Sequence, residues 1–182
     1  HITNKHIENA QQNVKLFEKD LIFDSSIKNK YLYYAGTPQR RAKEINDAFS
    51  NNEVDFLFSA RGGNSTIEVL PLLDFDLIKA NPKPILGFSD VTILLNAISQ
   101  KTNQVMIHGP TQNKPFVDLQ GSVFASIQAC LNKKSYGITF LRKDLINAIK
   151  GKYVGRVSGG NLFLLINSLA TFAQINQYGF IE

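Results

Sequence analysis

The sequence predicts an α/β protein in which a mostly parallel sheet is covered by helices on both faces. Two apolar runs, Val54 to Ala60 and Pro84 to Phe88, have the length and composition of buried strands. Each run is followed by a turn and then by apolar residues at helical spacing, and repeated strand-loop-helix units pair in parallel. With 182 residues, of which 43% are hydrophobic and 19% charged, the chain is long enough for one core of this flavodoxin-like or Rossmann-like kind.

Two helices and a short strand are predicted before the first apolar run. Apolar residues at steps of three and four predict a helix over residues 5–19, and Leu21 to Phe23 has the composition of a short strand. A second helix is predicted from Pro38 to Ser50, with Thr37 as its N-cap and Pro38 at the first helical position. Because a helix in such a fold normally follows a strand, we expect that the first strand of the fold is missing from this sequence.

The elements predicted after the second apolar run continue the alternation. They are a helix over residues 91–100, a strand from Val105 to His108, a helix from Leu119 to Leu131, strands over residues 136–140 and 153–157, and an apolar helix from Gly159-Gly160-Asn161 to about Phe172. We expect residues 1–132 to form an N-terminal α/β domain. Residues 133–182 are expected to be a crossing segment and the beginning of a second domain that is largely missing.

Composition excludes several classes of function. The net charge is +5, but the basic residues are dispersed and no basic stripe with interleaved aromatic residues is visible, so we expect no nucleic-acid partner. One cysteine, Cys130, excludes an internal disulfide framework and a Cys-based zinc site. The apolar stretches are shorter than the ~18 residues of a membrane span. The chain begins at His1 without a signal-like segment, which leaves export undecided.

The chemistry is expected at the carboxyl ends of the two apolar strands, where parallel sheets bind their ligands. The loop over Gly87 to Asp90 resembles a nucleophile elbow, a tight turn that exposes a serine hydroxyl at a helix N-terminus. Ser89 is therefore the candidate nucleophile. The match is incomplete, because the G-x-S-x-G pattern requires glycine where Val91 stands, and the local pattern also allows Ser89 or Asp90 simply to cap the helix.

The second strand-end loop, Ala60 to Thr66, contains the pair Gly62-Gly63. Backbone N–H groups there can approach a ligand closely and supply an oxyanion donor, although an ordinary glycine turn or a phosphate-cradling loop has the same composition. A serine nucleophile also needs a base. Of the three histidines, His1 and His6 are predicted far from any strand end, and His108 follows a strand within a His-Gly-Pro turn that we expect to be structural.

Seven short motifs occur in order between about Tyr33 and Leu162. They are Tyr34-Ala35-Gly36-Thr37 with Arg40, Ala60-Arg61-Gly62-Gly63, Leu70 to Asp76, Asn81-Pro82-Lys83-Pro84, Gly87-Phe88-Ser89-Asp90, His108-Gly109-Pro110 and Gly159-Gly160-Asn161-Leu162. Their order and spacing resemble the LD-carboxypeptidase family, which includes muropeptide LD-carboxypeptidases and microcin C self-immunity peptidases. The resemblance favours the catalytic interpretation of Ser89 over the capping one.

The resemblance implies a Ser-His-Glu hydrolase that removes the terminal D-alanine of murein tetrapeptides, as in peptidoglycan recycling, without a metal or another cofactor. Ser89 matches the nucleophile, and the backbone N–H groups of Asp90 and Gly63 match the oxyanion donors. Glu182 matches the residue that orients the histidine. Arg61 and Gly62 are candidate substrate contacts, and Asn64 stands where the family often has tyrosine, which leaves the substrate preference open.

The family's histidine lies in a C-terminal domain and has no counterpart in this sequence, so we expect the fragment alone to be inactive. For the complete protein we expect a homodimer in the cytoplasm, with the periplasm still open. Two alternatives remain: a microcin C-type immunity hydrolase that uses the same triad, and a non-catalytic domain that binds a small ligand at the glycine loop.

Overall fold

A computed structural model of the protein describes residues 2–119, 121–132, 151–152 and 154–170. The regular elements of this part are α1 (Asn4–Lys15), α2 (Pro38–Ser50), β1 (Leu57–Phe58), α3 (Phe75–Ala80), β2 (Ile85–Gly87), α4 (Val91–Thr102), β3 (Ile107–His108), α5 (Gly121–Leu131) and α6 (Leu162–Ala170). Short 3-10 turns lie at Ser25–Lys28, Thr66–Glu68, Leu70–Leu72 and Phe116–Asp118. The predicted α/β class is confirmed.

The three described strands form one parallel sheet in the order β1-β2-β3. Leu57 lies opposite Ile85 in the register, and Gly87 lies opposite His108. Because the strands run in the same direction, the loops after Phe58, Gly87 and His108 leave the same edge of the sheet. That edge is where the candidate site was expected.

Successive residues of the strands face opposite sides of the sheet, and each side is covered by helices. Leu57 and Ile85 pack in a core cluster with residues of α2, α3 and α4, including the fully buried Phe49 and Ile98. The next residues along the strands belong to a second cluster, which brings in α5 and the turn just after α1 and contains Phe17, Phe58, Leu86, Phe116 and Ile127. The prediction of helices on both faces is therefore correct.

The start of α2 follows the sequence prediction residue by residue. Thr37 is the N-cap and its hydroxyl accepts a hydrogen bond from the Arg40 N–H, while Pro38 occupies the first turn, where its missing N–H costs no hydrogen bond. Helix α1 begins with a capping box, in which Thr3 and His6 each accept the other's backbone N–H. The N-terminal ends of α1 and α2 are thus each fixed by hydrogen bonds to nearby side chains.

Two predicted strands are wrong. The stretch Leu21 to Phe23 forms no strand, and Ile22 is 60% exposed there, because no described strand lies beside it to complete a ladder. Residues 154–157 also form no strand, and both Val154 and Val157 face solvent. This segment is attached instead by side chains: the Arg156 guanidinium donates to Ser99 and Asn103 of α4.

The apolar helix expected after Gly159-Gly160-Asn161 is present as α6, and the Asn161 side chain accepts the Leu164 N–H at its start. The strand predicted over residues 136–140 lies outside the described residues. The domain boundary predicted after residue 132 adjoins the same stretch and stays a prediction.

Candidate functional site

Ser89 lies in the turn between β2 and α4 with its backbone in the left-handed region, at a φ of +63°. Residues other than glycine rarely adopt this conformation, and it is concentrated at turns that aim a functional side chain. The Ser89 carbonyl accepts the Thr92 N–H at 2.9 Å, so the turn joins the first turn of the helix directly. The half-buried serine therefore sits in a sharp strand-to-helix turn of the elbow type.

The side chain of Asp90 does not cap the helix, although Asp90 occupies the N-cap position of α4. Its buried carboxylate points across to the glycine loop. There Oδ2 accepts hydrogen bonds from the Ser65 N–H at 3.0 Å, from the Thr66 N–H at 3.0 Å and from the Thr66 hydroxyl at 2.6 Å. The alternative in which this residue pair is only a helix cap is therefore wrong for the Asp90 side chain.

Gly62 and Gly63 lie against the Ser89 turn. A Cβ atom on Gly62 would be 2.9 Å from the Ser89 Cβ and 3.2 Å from its Oγ, so only glycine leaves space for the serine at this position. A Cβ on Gly63 would be 3.4 Å from the Asp90 Oδ2, an ordinary contact. Two loops separated by about 25 residues thus meet where an oxyanion could form.

Arg41 of α2 contacts the glycine loop from another side. Its guanidinium donates to the Ser65 hydroxyl at 2.9 Å and to the Ser65 carbonyl at 3.3 Å, and it lies 3.6 Å from the Glu68 carboxylate. Burial lowers the pKa of Arg41, and the nearby carboxylates of Glu68 and Asp90 oppose that shift. The sequence interpretation missed this role, because Arg41 stands in a basic stretch with no motif that points to a distant loop.

His108 lies at the end of the neighbouring strand. Its Nε2 is 3.3 Å from the Thr92 Oγ1, and its ring centroid is 5.4 Å from that of Phe88. The Thr92 oxygen already accepts the Asn161 N–H, which leaves the Thr92 hydroxyl hydrogen free to be donated to the imidazole. Partial burial of the imidazole lowers the pKa of His108. These contacts support the expected structural role.

The other residues considered for the site are Arg61, Glu182 and the histidines. Arg61 is exposed at the start of the glycine loop, beside Gly62. Glu182 lies outside the described residues. His6 is engaged in the capping box of α1, and no hydrogen bond among the described residues joins Ser89 to His6 or His108. A base for the serine is therefore not found in the described part of the chain.

The described ranges contain neither a metal-binding cluster nor a membrane-spanning helix. No group of three or more His, Cys, Asp or Glu side chains is arranged there to hold a metal ion. None of the helices in these ranges combines the length and the apolar character that crossing a bilayer demands.

Comparison with known proteins gives a consistent result. The family described as the LD-carboxypeptidase N-terminal domain matches residues 1–109. The "Probable murein peptide carboxypeptidase" of Bacillus subtilis is 33% identical over 162 residues, which are 86% of this chain and 51% of that protein. The microcin C7 self-immunity protein MccF of Escherichia coli is 32% identical over 158 residues, 71% of this chain and 46% of that protein. The chain thus spans about half the length of these curated relatives.

A solved structure agrees with the sequence matches. The microcin C7 self-immunity protein MccF in its wild-type apo state superposes with a TM-score of 0.66 at 27% identity, over 86% of this chain and 49% of that one. The parallel sheet and its covering helices are therefore shared with a protein whose sequence is also similar.

Proposed function

The chain belongs to the LD-carboxypeptidase family, and from this membership we propose that the complete protein is a serine carboxypeptidase acting on murein tetrapeptides. The bond cleaved is the L,D-peptide bond to the terminal D-alanine. The observation that carries the proposal is the left-handed turn at Ser89, with Gly62 packed against the serine. Related proteins named as murein peptide carboxypeptidases support the substrate class.

The proposed reaction is acyl transfer through Ser89. Its Oγ attacks the carbonyl carbon before the D-alanine, and a histidine takes the hydroxyl proton. The tetrahedral oxyanion is stabilised by the backbone N–H groups of Asp90 and Gly63. When the intermediate collapses, the C–N bond breaks and the histidine returns the proton to the D-alanine nitrogen; water then hydrolyses the acyl-serine by the same steps.

We propose the remaining roles for residues outside the described part of the chain and for the start of the glycine loop. The base is placed outside the described residues, because His6 caps α1 and His108 faces Thr92. Glu182 is proposed to orient that base. Arg61 and Gly62, at the start of the glycine loop, are proposed to contact the substrate, with the Arg61 cation facing its terminal carboxylate. Without the histidine, residues 1–182 alone are expected to be inactive.

A second candidate function is hydrolysis of an aminoacyl-adenylate analogue, as in immunity to microcin C. Similarity to the microcin C7 self-immunity protein at 32% identity favours it. The same nucleophile and oxyanion donors would serve both reactions, since both break a bond to an acyl carbon. The two functions differ in the leaving group and therefore in the pocket that surrounds it.

Release of D-alanine from a murein tetrapeptide, followed by mass spectrometry, tests the proposal. The complete protein is compared with Ser89→Ala and with Ser122→Ala, which removes an exposed hydroxyl in α5. We expect release by the parent and by Ser122→Ala, and a loss of about 10⁴-fold or more in Ser89→Ala. Equal release by Ser89→Ala would remove Ser89 from the mechanism.

Absence of release from all three proteins would contradict the murein substrate. The same proteins are then given an aminoacyl-adenylate analogue. Turnover by the parent and by Ser122→Ala, but not by Ser89→Ala, would support the immunity hydrolase. Binding of either compound without turnover, unchanged in Ser89→Ala, would support a non-catalytic ligand-binding domain.

A further inference from the structure

We propose that the Asp90 carboxylate is a positioning residue that holds the glycine loop against the Ser89 turn and so sets the distance between the two oxyanion donors. One donor, the Asp90 N–H, belongs to the start of α4, and the other, the Gly63 N–H, belongs to the loop after β1. The inference rests on the proposed function. It assigns a role to the Asp90 side chain, whereas the proposed function uses only the Asp90 backbone N–H.

A single oxygen of the Asp90 side chain accepts three hydrogen bonds. Two backbone N–H groups and one hydroxyl converge on the Asp90 Oδ2, at 3.0, 3.0 and 2.6 Å. Asp90 is 4% exposed, and a buried carboxylate requires such donors to compensate for the loss of water. Bonds to an ionised acceptor are also stronger than neutral ones. The carboxylate therefore fixes the backbone of residues 65 and 66 firmly.

These bonds join the two segments that carry the proposed oxyanion donors. Ser65 and Thr66 follow Gly63 by two and three residues, and Asp90 follows the nucleophile directly. A carboxylate that joins these two points connects the two halves of the proposed oxyanion site through one side chain. A Cβ added to Gly63 would be 3.4 Å from the same Oδ2, so this part of the loop also lies beside the carboxylate.

The glycine loop is held on its opposite side as well. Arg41 donates to the Ser65 carbonyl and hydroxyl, while Asp90 accepts from the Ser65 N–H. The peptide groups on both sides of the Ser65 Cα are therefore fixed by ionised side chains from α2 and from the start of α4. A loop held in this way keeps its N–H groups oriented before substrate arrives, which is the condition for stabilising an oxyanion efficiently.

Three variants of the complete protein test the inference. Asp90→Ala keeps the backbone N–H but removes the acceptor, and we expect kcat to fall about 100-fold with KM changed less than about threefold. Thr66→Val removes only the hydroxyl donor, and we expect a kcat loss of roughly tenfold. Asp90→Asn retains an acceptor oxygen and is expected to recover part of the rate lost in Asp90→Ala.

Asp74→Ala is the matched control for a variant that loses stability without losing a contact to the glycine loop. The Asp74 carboxylate also accepts a backbone N–H, that of Leu77 at 2.8 Å, but it caps α3 rather than the glycine loop. We expect a lower Tm in this variant with kcat within about twofold of the parent. A kcat loss in Asp74→Ala equal to that in Asp90→Ala would show that instability alone lowers the rate and would overturn the inference.

A second readout separates this inference from the proposed function. Each protein is treated with a fluorophosphonate, in which the Ser89 Oγ forms a bond to phosphorus as fluoride leaves, and labelling is followed by mass spectrometry. The phosphoryl oxygen uses the same oxyanion donors whatever the natural peptide is. We expect labelling to slow in the order parent, Thr66→Val, Asp90→Ala, even if the parent releases no D-alanine.

The outcomes that overturn the inference are definite. Labelling and kcat within twofold of the parent in Thr66→Val and Asp90→Ala would exclude a positioning role. If Asp90→Ala does not fold, Thr66→Val decides by the same criterion. A parent that neither cleaves the peptide nor labels has no oxyanion site for Asp90 to organise, and both proposals then fail.

Discussion

Asn96 of α4 exchanges two hydrogen bonds with Gly159. Its Nδ2 donates to the Gly159 carbonyl at 2.8 Å, and its Oδ1 accepts the Gly159 N–H at 3.1 Å. The same Oδ1 accepts the Ser158 hydroxyl at 3.0 Å. The Asn96 amide therefore attaches the segment before α6 to the helix that follows Ser89, in addition to the bonds that Arg156 makes to the same helix.

Replacing Asn96 by alanine is expected to release that segment. The exposed Arg156, now held mainly by its own bonds to α4, becomes a better trypsin site, since proteolysis follows the population of the locally open form. We expect cleavage after Arg156 to accelerate about tenfold, measured by mass spectrometry over time. Gln100→Ala, an exposed change on the same helix, should cleave like the parent; equal acceleration in both would contradict the prediction.

Ser89→Gly is expected to be more stable than Ser89→Ala while both are inactive. Glycine adopts the φ of +63° without steric cost, whereas alanine keeps the strain of the left-handed conformation. We expect a difference of about 1 kcal/mol in the free energy of unfolding, or about 2–4 °C in Tm. Differential scanning calorimetry of the two variants measures it, and a less stable glycine variant would show that the turn is unstrained.

Gly62→Ala is expected to lower kcat at least tenfold, because the added methyl group would lie 2.9 Å from the Ser89 Cβ and must displace the serine. Gly121→Ala is the control, since a Cβ there meets no atom within 4 Å. Steady-state kinetics of the two variants, with circular dichroism to establish folding, gives the comparison. A Gly62→Ala enzyme with parental kcat would mean that the loop has room to move away.

Asn13→Ala is expected to destabilise the fold by about 2–4 kcal/mol. The fully buried Asn13 side chain donates to the Gln112 Oε1 and the Lys114 carbonyl and accepts the Phe116 N–H, so it joins α1 to the loop after β3. Urea unfolding measures the loss. The neighbouring Gln12 is exposed, and Gln12→Ala should change the stability by less than about 0.5 kcal/mol.

His108 is expected to make the fold less stable in mild acid. Burial lowers its pKa in the folded protein, so as the pH falls the unfolded chain takes up the proton first, near the ordinary value of about 6.5. Its contribution is complete above that pH and is lost as the pH falls toward the lower folded pKa. The Tm of the parent should therefore fall more than that of His108→Gln between about pH 7.5 and pH 5.5; parallel curves would contradict this.

The sequence predicted elements whose signals are local. The cap and first turn of α2 are determined by two adjacent residues, Thr37 and Pro38, and the structure agrees with both. The buried strands were located because apolar runs bounded by turn residues have few other uses. The strand prediction for Leu21 to Phe23 was wrong, because three apolar residues carry no information on whether a partner strand lies beside them.

The sequence predicted where the candidate site lies, but not the hydrogen bonds that hold its loops together. Ser89 and Gly62 were identified because each follows a strand that ends at the same edge of the sheet. The hydrogen bond that Asp90 accepts from Thr66 and the one that Arg41 donates to Ser65 each join residues about 24 positions apart, and no periodicity or motif predicts such pairs. Short-range patterns therefore located the Ser89 turn, and only the folded chain reveals the side chains that hold it.

The order of the three strands bears on how the protein is made. Each strand pairs with the one that precedes it along the chain, and the helices between them complete each crossing before the next strand begins. As residues leave the ribosome one after another, β2 and β3 are each synthesised after the strand with which they pair. The three described strands can thus be added in a single direction, and the glycine loop is synthesised before Ser89, which it will flank.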